Sequence, residues 1–259
     1  MATNFVTEKN IIVKIWASLN KKANKKVTTV ITLTNGMANI LEKYADRNKI
    51  HVVPAWGNLG NLKIKDQKEN LFNKKYNLQD KFIVMYSGNL GKEYHLQALV
   101  LTASQLKNYT DILIIIMGEG WHKASLQSIV TAQKLTNCLL LPFQANEVFT
   151  DSLQSFQVGV VALAGNVNDI AIPSKTYNLL AAQKPILCIG GLNTELAHFL
   201  NEHNVGKAIE PDNIEEMKDY ILQLYTDEIY FNAICGNSKN ILSDYTRENA
   251  NKIVALSML

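Results

Sequence analysis

From residue 80 onward the chain alternates between two hydrophobic rhythms. Six short runs are almost wholly apolar: FIVMYSG, DILIIIMG, NCLLLPF, FQVGVVAL, KPILCIGG and VGKAIEP. Between successive runs, apolar residues recur at helical spacing. Strands that are apolar on both faces belong to parallel sheets covered by helices on each side. The alternation therefore predicts a doubly wound α/β domain with a parallel, Rossmann-like sheet. Upstream, VTTVITLTNG reads as a strand ending in a turn, and NGMANILEKYAD as a helix with Met37, Ile40, Leu41 and Tyr44 inward. IHVVPAWGN reads as a further strand, stopped by Pro54. The polar stretch Leu59–Asp80 has the composition of a linker. Ser238–Leu259 reads as a helix following the last βα unit.

The first helical pattern is of a different kind. Ile11, Ile12, Ile15, Trp16 and Leu19 share one face, and Lys9, Lys14, Lys21, Lys22, Lys25 and Lys26 occur with no acid among them. Such a helix either packs its stripe on its own domain, the commoner outcome, or lies on an anionic membrane surface. Composition narrows the rest. The 259 residues are 47% hydrophobic and 19% charged, the composition of a soluble globular chain. A net charge of +3 is too small to imply nucleic-acid binding by the whole molecule. No apolar run reaches the ~18 residues of a spanning helix, and the N-terminus lacks a signal-peptide pattern. Cys138, Cys188 and Cys235 are odd in number and widely spaced, as expected of reduced thiols in a cytoplasmic protein.

In doubly wound sheets, ligands sit beyond the carboxyl ends of the strands, which directs attention to four loops. YSGNLGKEYH places Gly88 and Gly91 around Asn89 directly after a strand, a backbone suited to close approach by an anion. MGEGWH repeats the arrangement, but Glu119 would repel a phosphate, so this loop is expected to shape the cleft. IPSKTYNLLAAQKPIL opens a helix with Pro173, Ser174 and Lys175, with Ser174 as a possible cap. A lysine in a first helical turn opposes the macrodipole unless an anion is bound there, when it becomes the countercharge. GGLNTELAHFL sets Asn193 or Thr194 to cap a helix beginning near Glu195, itself favourable to the dipole. No Ser-His-Asp order, Cys-x-x-Cys, His-x-x-His or full Walker motif is present. A glycine-lined anion cleft with one placed lysine suits a nucleotide or sugar nucleotide, with neither a metal nor a cofactor called for.

The segments VMYSGNLG, IIIMGEG, NCLLLPF, IPSKTYNLLAAQKPIL and GLNTEL followed by VGKAIEPDN, in this order, resemble the C-terminal half of family 4 retaining glycosyltransferases of the GT-B fold. The nearest likeness is to the bacterial branch that transfers N-acetylated amino sugars in surface polysaccharide assembly. VITLTNGMANILEKYA with IHVVPAWGN resembles the end of that family's acceptor-binding N-terminal domain. The resemblance implies three parts: a remnant of a second Rossmann-like domain (residues 1–58), a nucleotide-sugar-binding domain (59–237) and a C-terminal crossing helix (238–259). It further implies a donor site made of Gly88, Asn89, Gly91 and Lys92 against the diphosphate, and Leu141 and Phe143 near the base. Pro173, Ser174, Lys175, Tyr177 and Asn178 would face ribose and phosphates, and Gly191, Asn193, Thr194 and Glu195 the sugar.

Departures from the family pattern sharpen the expectation. The arginine and lysine usual in the first loop are replaced by Asn89 and about Tyr94, and the usual pair of glutamates by Ile170 and Asn178. With those cations gone, Lys175 is the leading candidate for the diphosphate, with Lys92 second; the same branch commonly shows the P-S-K form. The expected function is a UDP-sugar donor domain that needs a partner chain to supply the acceptor half, with a homodimer as the other association expected. It would be cytoplasmic, at the inner face of the membrane only if the first helix takes the second of its two readings. The competing expectations are an inactive, truncated nucleotide-binding or self-associating module and, more weakly, a nucleotide-sugar epimerase.

Overall fold

The computed structural model describes residues 10–57, 69–164 and 170–258. Six parallel strands form its centre: β3 (Phe82–Ser87), β4 (Ile112–Met117), β5 (Cys138–Leu141), β6 (Val158–Ala162), β7 (Ile186–Ile189) and β8 (Gly206–Ile209). Their order, β5-β4-β3-β6-β7-β8, makes this a doubly wound sheet whose direction of winding switches between β3 and β6. All six apolar runs form strands, for the expected reason. Alternate residues of each enter different cores. On β3, Val84 and Tyr86 join Ile114 and Ile116 in one core, while Ile83 and Met85 join Leu113 and Ile115 in the other. The first core is closed by α4 (Gln97–Gln105), α5 (Lys123–Ala132) and α9 (Ile214–Thr226). The second is closed by α6 (Asn146–Ser155), α7 (Ser174–Ala181) and α8 (Glu195–His203).

The N-terminal segment is a smaller unit. β1 (Val30–Thr32) and β2 (Ile50–Val52) pair in parallel, with α2 (Asn35–Leu41) between them. Met37, Ile40, Leu41 and Tyr44 are half-buried, and only Ala38 of α2 is fully enclosed. A two-stranded sheet is too small to stand alone. It is tied to the larger domain by Thr34 Oγ1 donating to the Ile170 carbonyl and by the Gly36 amide donating to Glu195 Oε1 (3.2 Å). Asn249 Nδ2 adds a bond to the Pro54 carbonyl (3.1 Å).

Three expectations change. The stripe on α1 (Ile11–Lys26) does not pack on its own domain: no residue of this helix is buried, Ile11 is 72% exposed and Trp16 62%. Its half-buried residues are Val13, Ala17 and Asn24, so the larger apolar side chains face outward. The supposed linker is partly structured. Its residues 59–68 lie outside the described residues, as does Lys9, but α3 (Leu71–Tyr76) follows. There Asn70 caps the helix by accepting from the Asn73 amide, Phe72 is fully buried, and the Leu71 amide donates to the Asp151 carboxylate of α6 (2.9 Å). The apolar positions 71, 72 and 76 are at helical spacing but diluted by Asn and Lys. Finally, residues 238–259 are not one helix. α10 (Glu228–Ile241) runs through residue 238, a 3-10 turn covers Leu242–Tyr245, and α11 (Asn249–Ser257) follows.

Candidate functional site

The site is assembled where the winding reverses. Beyond the carboxyl end of β3, Gly88 and Asn89 begin the loop to α4. From the other layer, α7 begins at Ser174 with Pro173 before it. Between them lies a cavity of about 370 Å³ lined by Tyr86, Gly88, Asn89, Tyr94, Pro173 and Lys175, with Ala162–Ala164 and Ala171 behind. The structure thus brings together four of the predicted donor residues: Gly88, Asn89, Pro173 and Lys175.

Lys175 crosses the crevice. Its Nζ stands 4.1 Å from the centroid of the Tyr86 ring, and a Cβ on Gly88 would lie 2.8 Å from it. Burial pushes its ammonium down to a pKa of about 8. Among the described residues no carboxylate forms an ion pair with it. The expected Ser174 cap is absent: Ser174 is exposed and α7 has no side-chain cap at all. Among the described residues, amides without a side-chain cap and an ammonium without a countercharge at one helix start make a positive locus that suits a phosphate.

The loop after β3 is held rigidly by the one after β4. The Gly88 amide donates to the Met117 carbonyl (3.0 Å), the Leu90 amide to Glu119 (2.8 Å) and the His122 amide to Leu90 (3.0 Å). Gly118 and Gly120 have φ of 155° and 152°, and side chains there would strike the carbonyls of Gly88 and Leu90. The MGEG loop therefore shapes the cleft, as expected, while Glu119 turns outward to Lys123 (2.6 Å).

Other predicted residues lie elsewhere. Lys92 is exposed and outside the cavity lining, as is Phe143, and Leu141 packs against the second core. Tyr177 is buried in that core, 5.6 Å from the Tyr245 ring, and burial pushes its hydroxyl up to about 12. It is a packing residue, because α7 turns its second residue after Lys175 toward the sheet. Asn178 is half-buried beneath Gly57, whose Cβ would lie 3.2 Å from its Oδ1. Gly91 is half-buried against Tyr94. Thr194 caps α8, accepting from the Ala197 amide (3.0 Å), and Asn193 is exposed. Gly191 lines a neighbouring cavity of about 390 Å³ with His95, Gly190, Glu210 and Asp212. Glu195 is committed to the Gly36 amide, so the carboxylate expected near a sugar instead joins the two units. Tyr86 is the site residue that sequence reasoning misses. Its signal is an aromatic ring two residues before the first glycine, indistinguishable from a core residue without the fold.

Comparison with known proteins agrees with this fold. The putative colanic acid biosynthesis glycosyl transferase WcaI of Escherichia coli K12 is 22% identical over 210 residues, covering 80% of this chain and 51% of WcaI. The chain thus spans about half the length of that curated relative. Anabaena HepE, solved with UDP, superposes with a TM-score of 0.79 at 16% identity over 97% of this chain and 69% of HepE. The pneumococcal O-GlcNAc transferase GtfA, solved with UDP and GlcNAc, gives 0.69 at 16% identity over 99% and 50%. At such identities these structures establish a shared GT-B architecture. Residues 67–249 match the glycosyl transferases group 1 family, and the chain belongs to it.

Proposed function

We propose that this chain is the donor-binding half of a retaining glycosyltransferase that takes a UDP-linked N-acetyl amino sugar for polysaccharide or glycolipid synthesis. The observation that supports it most is the meeting, at the switch point, of the Gly88–Asn89 backbone, the uncapped start of α7 and the Lys175 ammonium in one cavity. In this reading the diphosphate lies against that locus, and Lys175 stabilises the charge that develops on it as the glycosyl bond breaks. WcaI's name, with its colanic acid biosynthesis, supports the polysaccharide, and UDP in HepE and GtfA supports the nucleotide.

Thermal unfolding with and without UDP tests the proposal. Binding to the native state at about 100 times Kd stabilises by about 2.7 kcal/mol, or roughly a 5 °C rise in Tm for a chain of this size. No shift at millimolar UDP sinks it. In the same assay Lys175→Ala weakens UDP much more than uridine; equal losses would remove the lysine from the phosphate. A second reading, a catalytically inactive self-associating module, draws on the exposed apolar face of α1. It would retain UDP binding, or lose it, without transferring sugar when the acceptor half is supplied.

A further inference from the structure

Lys175 reaches the cavity from α7, in the layer opposite the one that contains Tyr86. A lysine stem has four rotatable bonds, so an ammonium held at one place needs something to hold it. A carboxylate would do so but would neutralise the charge. The described residues offer instead an aromatic face: Tyr86 is fully buried, with its ring centroid 4.1 Å from Lys175 Nζ. The hydroxyl of the same ring donates to the Asn89 carbonyl (2.7 Å). Gly88 completes the stack, since a Cβ there would come within 2.8 Å of the ammonium and 3.2 Å of the Tyr86 hydroxyl. One side chain thus touches both halves of the anion locus, the lysine through its π face and the glycine loop through its hydroxyl.

We propose that Tyr86 is the positioning residue of the donor site, holding the Lys175 ammonium over the Gly88–Asn89 turn so that both address one phosphate group. This rests on the nucleotide-sugar reading above and deepens it. The ring orients the cation while leaving its charge for the ligand, because the attraction is to the ring quadrupole and not to a countercharge. Tyr86 itself touches no reacting atom.

A double-mutant cycle tests the proposal, with UDP and uridine as probes on the intact chain. Tyr86→Leu is expected to weaken UDP about tenfold, the size of a desolvated cation–π contact, while changing uridine by less than about twofold. In a Lys175→Met background the same substitution should add little to the loss of UDP binding. Tyr86→Phe keeps the ring and should restore most of the affinity. Equal weakening of UDP and uridine, or an undiminished effect without the lysine, makes Tyr86 a core residue only and overturns the proposal. A ligand-free measurement covers the chance that Tyr86→Leu does not fold. In the wild-type chain with 13C-methylated lysines, the Lys175 resonance, identified by its loss in Lys175→Arg, should be displaced upfield by the Tyr86 ring. An undisplaced resonance overturns the pairing. If the wild-type chain binds pyrophosphate but not UDP, only the nucleotide reading fails, and the cycle is read with pyrophosphate. A chain blind to both overturns both.

Discussion

Lys175 shows how one residue changes meaning between sequence and structure. Along the chain it is a cation at the wrong end of a helix; in space it is half-buried over an aromatic ring with its amine pushed down to about 8. Two effects of opposite sign follow. Below pH 8 the amine is protonated and the folded chain bears the whole cost of burying it. Between about 8 and the ordinary lysine value of 10.5, the unfolded chain keeps a proton that the folded chain has lost. Stability from this group therefore rises with pH across that window. On the proposed reading the diphosphate needs the charged amine, so UDP affinity should fall above pH 8, approaching about tenfold per unit. Calorimetric titration from pH 7 to 9.5 reads this directly. Lys175→Met should flatten the profile, and a wild-type profile as flat as the mutant's would remove the amine from binding. The neighbouring Tyr86 hydroxyl stays neutral throughout, because burial raises it well above the range. Asn178 and Ile170 can be read from the sequence as departures from the family's glutamates. The enclosure of Asn178 beneath Gly57 cannot, because it depends on a segment more than a hundred residues away.

Among the elements, the loops after β3 and β4 act as a pair. Each is a glycine turn that the sequence marks by itself, but the reason for the glycines lies in the other loop. A Cβ on Gly118 would strike the Gly88 carbonyl, a clash with backbone that no rotamer relieves, at a φ of 155°. Gly118→Ala should cost about 3 kcal/mol by overpacking and backbone strain together, seen as a lower urea midpoint, and should weaken UDP as the Gly88 turn is displaced. A midpoint within error of wild type would show the loops to be independent. The six strands are legible because burial on both faces leaves continuous apolar runs. α3 is not, since Phe72 and Tyr76 pack on each other and the helix start is bonded to α6, and nothing local announces that. The missing cap on α7 is the informative error at this scale: Ser174 has the chemistry to cap, and its exposure leaves the amides for a ligand.

At the scale of the molecule, the described residues form a six-stranded parallel sheet joined to a small two-stranded unit. α1 bears Lys14, Lys21, Lys22, Lys25 and Lys26 with no acid, and an exposed stripe of Ile11, Ile12, Ile15, Trp16 and Leu19. Contiguous exposed apolar surface of this kind is typical of an interface. No helix among the described residues is long and apolar enough to cross a membrane. We expect the chain alone to self-associate through this face, its mass in sedimentation rising with concentration. Ile12→Glu with Trp16→Glu should abolish that without loss of helical signal, because neither side chain is buried. A wild-type chain monomeric at all concentrations would discount the face as a docking surface. The sequence by itself determined the doubly wound α/β class, the six strands, the loops that bear the site and the membership those motifs resemble. The class, the strands and the loops follow from local periodicity and turn chemistry, which act over a few residues; the family is a resemblance carried by the order of the motifs. Only the tertiary structure decided that Lys175 rests on Tyr86, that Glu195 serves the Gly36 amide and that α1 turns its large apolar side chains outward. Those are long-range facts, set by which layer faces which, and no local pattern encodes them.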